Sequence, residues 1–405
     1  MKVLQIATST DGGAGIAARR LNEALNSIGN DSNLLTGASP KLSRNKHELI
    51  AKKNFVARNL SRAVTVSQAK LVQNQNLLMT PFSKKIISVE KILSLKPDII
   101  HLHTFYNFLD TKTILEICNS GIPIFISLHD ERFYTGGCHH ALNCLRYEDK
   151  CSNCPEARTF FQGTVARAQN ELTHAFGQPQ TLTVIAPSDW IANRARSSKV
   201  LRTADVVKIN NPLGAQFIAS SARSRTIRDS SSPFLVTFVA QDLQNPFKGL
   251  ETLLECISKF ENEFRSENIQ FIFVGKGPEL SIGALKARQY KKIDMSKMID
   301  VYLDSDLLVV PSLVDNSPNV IFEALACGTP FVGSDRAGIP EISEMFGMES
   351  FKYGDPDSMY KAILNQRERN LDPRTIREAA LALVHPEVVA QKVAELYRLK
   401  STEIN

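Results

Sequence analysis

Short apolar runs alternate along the chain with stretches whose apolar residues recur every three or four positions. Val3–Ala7 is the first run. It opens into Ser9-Thr10-Asp11-Gly12-Gly13-Ala14-Gly15. Ala17, Leu21, Ala24, Leu25 and Ile28 then repeat at helical spacing, and Gly29 supplies a stop. Residues 32–36, 98–102, 122–128 and 182–186 read as further strands, with helical stretches between them. A polar stretch at 220–232 interrupts the rhythm, which then restarts. Residues 234–240, 269–274, 307–310 and 330–333 read as strands, 249–260 and 319–326 as helices, and 379–399 as a long terminal helix. This alternation predicts an α/β protein with mostly parallel sheets covered on both faces. The expected division is a first domain at 1–212, a linker at 213–232, a second domain at 233–385, and a terminal helix at 386–405 packing back on the first. Two doubly wound domains in tandem place the expected ligand crevice between them, beyond the carboxyl ends of the strands.

The chain has 405 residues, 43% apolar and 22% charged. Those values exclude a disordered or fibrous class. No apolar run approaches the ~20 residues that span a bilayer. The amino terminus enters a strand directly and does not read as a signal peptide, so a cytoplasmic location is expected. The net charge of +6 is unevenly placed: between Lys41 and Lys91 there are eleven Lys and Arg against two acids. That run implies an anionic partner or, more plainly, a solvated helical face. Leu60, Val64, Leu71, Leu77, Leu78 and Met79 would give it an apolar side for docking on an anionic membrane. Of seven cysteines, Cys118, Cys256 and Cys327 lie in apolar surroundings and read as buried reduced thiols. The other four crowd together: Cys138, Cys144, Cys151 and Cys154 follow one another at spacings x5, x6 and x2. They suit a structural zinc knuckle, reduced thiols or disulfides.

The strongest chemical signal lies at 311–341. Asp306–Ser312 reads as a buried strand ending in a turn, Asp315-Asn316-Ser317-Pro318 is polar, and a helix follows. Ser317 is a natural N-cap with Pro318 at the first helical position. The free N–H groups of such a turn suit a diphosphate. Glu323 lies on an otherwise apolar helix, where a carboxylate can accept hydrogen bonds from ribose hydroxyls. In the first domain Gly12–Gly15 can wrap a phosphate at a helix start. Gly13-x-Gly15-x-x-Ala18 also fits a dinucleotide fingerprint, but the acid that fingerprint needs after the second strand is absent around Leu34–Gly37, which excludes NAD. His101-x-His103 and Ser127-Leu128-His129-Asp130 end two strands and are expected to face the crevice.

Pro311-Ser312, Asp315, Glu323-Ala324, Ala326, Gly328 and Pro330 stand in the register of a known signature, Pro-Ser, two acids separated by seven residues, then Ala-x-Ala-x-Gly-x-Pro. In these residues the chain resembles the retaining glycosyltransferases of family 4, in the sub-type of capsule, colanic-acid and exopolysaccharide enzymes. The resemblance implies the GT-B fold, two tandem Rossmann-like domains with a crevice between them. It implies that Glu323 holds the donor ribose, and that Asp315, Asn316, Ser317 and Asn319 contact donor sugar and phosphates. Phe247-Lys248-Gly249 matches the position where Lys248 neutralises the leaving diphosphate. The family's Arg just upstream is absent, leaving Gln241 or an Arg from elsewhere in its place. Val274-Gly275-Lys276-Gly277-Pro278 matches a glycine turn near the nucleotide base. His129 is implied to lie close to the transferred sugar, with Gly13, Gly15 and His103 lining the same region. Similar Cys clusters occur in a subset of the family. The expected activity is transfer of a sugar from a UDP- or GDP-sugar to a glycan, lipid-linked or other small acceptor, with retention and without a catalytic metal. The enzyme would be cytoplasmic, with possible docking on the inner face of the plasma membrane. Rival readings are another GT-B enzyme, such as a sugar-nucleotide epimerase or a glycoside phosphorylase, and a zinc-containing nucleic-acid-binding protein. The last is poorly served by a basic run with only Phe55 and Phe82 interleaved, and no nucleic-acid partner is expected.

Overall fold

The computed structural model describes residues 1–37, 47–51, 79–83, 85–177, 182–219, 232–369 and 371–402. Most of the basic run between Lys41 and Lys91 lies outside them. The described residues divide into two compact units, 1–210 with 389–405, and 211–388.

The first unit is built on a parallel sheet of β1 (Lys2–Ala7), β2 (Asp31–Thr36), β3 (Glu48–Ile50), β4 (Ile99–Leu102), β5 (Ile124–Ser127), β6 (Leu182–Ala186) and β7 (Asp205–Lys208). The spatial order is β3-β2-β1-β4-β5-β6-β7. The chain winds outward from β1 in one direction, then restarts beside β1 with β4. That reversal leaves a gap between the connections beyond the carboxyl ends of β1 and β4, where ligands of such sheets bind. β4, β5 and β6 are buried throughout, as strands covered on both faces must be.

The second unit repeats the plan. Its strands are β8 (Phe234–Asp242), β9 (Ile269–Lys276), β10 (Ala287–Tyr290), β11 (Leu307–Val310), β12 (Phe331–Ser334) and β13 (Ser350–Phe351), in the order β10-β9-β8-β11-β12-β13. All pairings in both sheets are parallel. The reversal here falls between β8 and β11.

Two boundaries and one placement differ from the sequence reading. Leu213 and Phe217, expected in the linker, are buried in the second unit's core, and the Leu213 N–H donates to the Val384 carbonyl. The remainder of that stretch, 220–231, is outside the described residues. The terminal helix is two helices, Pro373–Val384 and Pro386–Thr402. Pro386 lacks an N–H and disfavours helical geometry at His385 before it, so the first helix stops and a second begins. The second helix buries Val389, Ala390, Val393, Ala394 and Tyr397 against Val3, Leu21 and Phe125 of the first unit. Met79, expected on a membrane-facing side, is fully buried in the first unit's core and bridges Cys138.

Candidate active site

At the β8–β11 reversal of the second unit, two loops are stitched together. The Leu313 N–H donates to the Phe247 carbonyl at 2.9 Å. Pro246–Lys248 form a single tight turn, started by Asn245, whose side chain accepts the Phe247 N–H. Gly249 then takes a left-handed conformation (φ 71°) and the helix Leu250–Lys259 begins. A Cβ at Gly249 would lie 1.8 Å from the Pro311 carbonyl oxygen. Only glycine permits both the backbone angle and the approach. The Lys248-Gly249 pair is therefore placed by its contact with the end of β11.

That contact brings Lys248 to Asp315. Lys248 Nζ lies 2.5 Å from Asp315 Oδ2, with the two side chains 33% and 16% exposed. The Asp315 carbonyl accepts the Gly338 N–H at 3.0 Å, tying a third loop, the one after β12, to the same edge. Asn316 and Ser317 are buried and Asn319 is half-buried. The helix runs Asn319–Ala326 with Pro318 as its N-cap. Ser317 is thus one residue too early to cap it, contrary to the sequence expectation. Its buried hydroxyl has no hydrogen-bond partner among the described residues. A buried unpaired hydroxyl costs stability unless something fills it.

Glu323 is 7% exposed and accepts a hydrogen bond from the Tyr302 hydroxyl at 3.1 Å. Tyr302 comes from the neighbouring helix Met295–Asp304 and was not among the expected site residues. Its signal in the sequence is only that it shares the buried face of that helix with Met298 and Ile299. Gln241 is exposed at the end of β8. Gly275 (φ 153°) is required by packing, since a Cβ there would meet the Ala240 carbonyl oxygen at 2.1 Å.

The first unit's edge is different in character. Gly13 and Gly15 lie in the first turn of the helix Gly12–Ser27. A Cβ at Gly15 would meet the Ser9 carbonyl oxygen at 2.5 Å, so the preceding loop wraps tightly over it. His101, His103 and His129 gather into one stack, with ring centroids 4.3 Å apart for the first pair and 5.3 Å for the second. His101 and His103, expected to face the crevice, are buried. His101 Nδ1 meets the Tyr397 hydroxyl at 2.5 Å and its Nε2 meets Ser127 Oγ at 2.9 Å. His103 Nδ1 meets His129 Nε2 at 3.0 Å, and His103 Nε2 meets Gln5 Oε1 at 2.8 Å. Only His129 reaches partial exposure. Burial pushes His101 down to about 3, His103 well below the usual range, and His129 to about 4. All three rings are neutral near pH 7.

The Cys quartet also lies in the first unit. Cys138, Cys151 and Cys154 are buried and Cys144 half-buried, all free. Cys151 Sγ accepts the Gly136 N–H at 3.3 Å. A hydrogen bond from Cys138 holds Cys154 down to about 6 and raises Cys138. Among the described residues, no three His, Cys, Asp or Glu side chains are grouped as ligands of one ion. The four thiols lie near enough to act on one another electrostatically, and the zinc expectation rests on their spacing. The expected buried thiols Cys118, Cys256 and Cys327 are buried and outside any disulfide among the described residues.

Residues 233–367 match the family described as Glycosyl transferases group 1. A putative colanic acid biosynthesis glycosyl transferase, WcaC of Escherichia coli K12, is 22% identical over 62% of this chain and 63% of its own length. A putative teichuronic acid biosynthesis glycosyltransferase, TuaC of Bacillus subtilis 168, is 31% identical over 25% of this chain and 24% of its own length. The matched stretches therefore span less than two thirds of either relative. Among solved structures, sucrose-phosphate synthase from Thermosynechococcus elongatus superposes with a TM-score of 0.64 at 16% identity, covering 98% of both chains. Anabaena Alr3699/HepE in complex with UDP gives 0.59 at 14% identity, covering 98% of this chain and 99% of that one. At such identities the likeness concerns fold. The second unit's core, at 233–367, is a domain of the glycosyl transferases group 1 family, and the two-sheet α/β architecture of the chain is the GT-B fold.

Proposed function

We propose that this protein is a retaining glycosyltransferase that moves a sugar from a nucleotide-sugar to a hydroxyl of a glycan or lipid-linked acceptor. The observation that carries the reading is the Lys248–Asp315 pair at the sheet reversal, beside the unpartnered Ser317 hydroxyl and the buried Glu323. Lys248 is the cation for the departing diphosphate, and Asp315 holds it in place. An arriving diphosphate competes with Asp315 for the ammonium, which desolvation then strengthens. Glu323, kept in one rotamer by Tyr302, accepts from the ribose hydroxyls. Ser317 supplies a hydroxyl donor to the phosphates. The names of the relatives, which concern colanic acid and teichuronic acid biosynthesis, and the UDP held by the Anabaena structure support a nucleotide-sugar donor and a polysaccharide acceptor.

Retention needs no enzyme nucleophile in this scheme. The C–O bond to the diphosphate breaks through an oxocarbenium-like state. The acceptor oxygen attacks the same face, and its proton passes to the leaving phosphate oxygen. Positioning and charge stabilisation are the protein's contribution, with no divalent metal in the step. The test is a panel of UDP-, GDP- and ADP-sugars, read first by thermal shift and then by product analysis. A matched donor stabilises the protein and yields glycosylated acceptor plus nucleoside diphosphate with the anomeric configuration kept. Absence of binding and turnover with every donor overturns the reading. Turnover dependent on orthophosphate marks a phosphorylase, and a changed sugar on an intact nucleotide marks an epimerase.

A second, compatible reading is docking on an anionic membrane. Phe160 is 90% exposed and stacks edge-on against Phe161, which meets Phe82 in turn. Phe82 lies within the basic run of the sequence, and each basic residue at an anionic surface contributes about 1 kcal/mol. No helix among the described residues is long and apolar enough to cross a membrane. Sedimentation with vesicles containing phosphatidylglycerol is expected to show binding that salt abolishes and that Phe160→Ser weakens. Equal recovery with neutral vesicles overturns it.

A further inference from the structure

The cysteine quartet of the first unit is held by more than its spacing. After β5, residues 128–158 form one long connection whose only helical piece is the short turn Arg146–Glu148. Loops beyond ~12–15 residues are uncommon in compact domains unless they serve a function. Here the anchoring contacts converge on the cysteines. On the helix Gln162–Phe176, the Gln169 side chain accepts the Cys151 N–H at 2.7 Å. The Gln162 side chain accepts the Cys154 N–H and donates to the Cys154 carbonyl at 2.7 Å. Two turns apart, both glutamines lie on one face of that helix. Between the two cysteines Asn153 takes a left-handed conformation (φ 49°), which closes the Cys151-Ser152-Asn153-Cys154 turn. Cys138 is bridged to Met79.

The sulfurs themselves meet donors and a cation. Cys151 Sγ accepts the Gly136 N–H at 3.3 Å. A Cβ at Gly136 would lie 2.4 Å from the Val165 carbonyl oxygen and 2.9 Å from the Cys151 Cβ, so only glycine lets the loop approach this thiol. Cys154 Sγ accepts the N–H groups of Glu156 and Ala157 and a hydrogen bond from Cys138. Such donors favour a sulfur that carries negative charge. The Arg132 guanidinium is buried beside them, and Cys138 and Cys151 act on it electrostatically. Its Nη1 has no hydrogen-bond partner among the described residues, and Asp130 is engaged by His139 at 2.6 Å. A buried cation with an unpaired donor calls for further negative charge close by.

We propose that Cys138, Cys144, Cys151 and Cys154 bind one zinc ion as four thiolates, a structural site that fixes the loop after β5. Zinc with four thiolates carries a net double negative charge, which Arg132 partly offsets. Among the described residues the sulfurs do not stand at ligand spacing around one point. Binding exchanges the proton between Cys138 and Cys154 for the ion and draws in Cys151 and the half-buried Cys144. The S–H protons pass to water, each sulfur supplies a lone pair, and nothing is oxidised. Four thiolates suit zinc rather than magnesium or calcium, and they leave no open position for a reacting water. The site stands independently of the glycosyl-transfer reading.

The test is metal analysis of the full chain, produced without a histidine tag in zinc-supplemented medium and dialysed against metal-free buffer. One zinc per chain is expected, released when a mercurial titrates the thiols. Cys151→Ser and Cys154→Ser are each expected to lower the zinc content at least tenfold. Cys256→Ser, in the other unit, is expected to leave it unchanged. Should both quartet variants fail to fold, the wild-type chain produced in cobalt medium decides: an intense sulfur-to-cobalt charge-transfer band with the visible bands of a tetrahedral ion is expected. A folded wild type with almost no zinc overturns the proposal, whether its thiols are free or Cys138 and Cys154 are joined in a disulfide. Zinc retained by folded Cys151→Ser and Cys154→Ser, cobalt bound without sulfur bands, or iron in place of zinc overturns it as well. A chain that holds zinc on the quartet yet is inert toward all nucleotide-sugars overturns the transfer reading and leaves the metal site standing.

Discussion

The two units share one winding pattern, yet their sheet reversals are furnished in opposite ways. In the second, between β8 and β11, a charged pair stands half in solvent. In the first, beyond β1 and β4, three neutral imidazoles are stacked inside the protein, with only the last partly exposed. Charge near water can be matched to a diphosphate and released again. Neutral, desolvated rings offer one neutral donor and one acceptor each, and no proton enters them at ordinary pH. On the proposed reading the same backbone geometry serves two recognition chemistries, and burial selects between them.

Breaking the charged side should have the largest effect. Lys248→Ala is expected to cut kcat/KM by about 10²–10³, the range seen when a preorganised electrostatic contact is deleted. Lys248→Arg should recover part of it. Steady-state kinetics with the matched donor checks this, and a loss below threefold would remove Lys248 from the chemistry.

The neutral side should reveal itself through pH. The His101 pKa lies below its unfolded value, so the unfolded chain binds more protons as pH falls below about 6.5, and stability declines toward acid. At pH 5 the His101 ring alone is expected to cost about 2 kcal/mol relative to pH 7.5. Urea unfolding at both pH values measures it, and His101→Phe should flatten the slope. An unchanged slope would mean the ring is not held neutral by burial.

Tyr302→Phe sharpens the link to Glu323. Losing the hydroxyl frees the carboxylate at a cost of about 1 kcal/mol. A rise of several-fold in donor KM with kcat nearly constant is expected. Ser317→Ala should be the smallest. It deletes a buried hydroxyl without a partner, so thermal stability should hold or rise slightly while nucleotide affinity falls a few-fold. A fall in melting temperature without any change in affinity would assign Ser317 to packing.

The sheets' interiors were legible from pattern and their borders were not. Every central strand appears as an apolar run. The four strands missed are β3, β7, β10 and β13, the outer strand at each end of both sheets. An edge strand is covered by fewer neighbours, so it carries residues such as those of Ala287–Tyr290, whose first two are exposed. Asp315 and Glu323 stood out because they share one motif of fixed spacing, and Lys248 because it lies in a second; that Lys248 meets Asp315, 67 positions away, was not legible. Tyr302 was not either, since a tyrosine on an apolar helix face gives no sign of its partner. Gln5 was hidden for a similar reason: within β1 it is one polar residue in an apolar run.

By itself the sequence determined the alternation of strand and helix and the glycine at 249, since these depend on local spacing and local backbone freedom. Only the tertiary structure decided which side chains share a proton. Gln5, His103 and His129 are 98 and 26 positions apart in successive steps. Parallel pairing of β1 and β4, and of β4 and β5, is what sets their rings at hydrogen-bond distance. Burial, which only the assembled sheet and its covering helices create, is what makes those rings neutral.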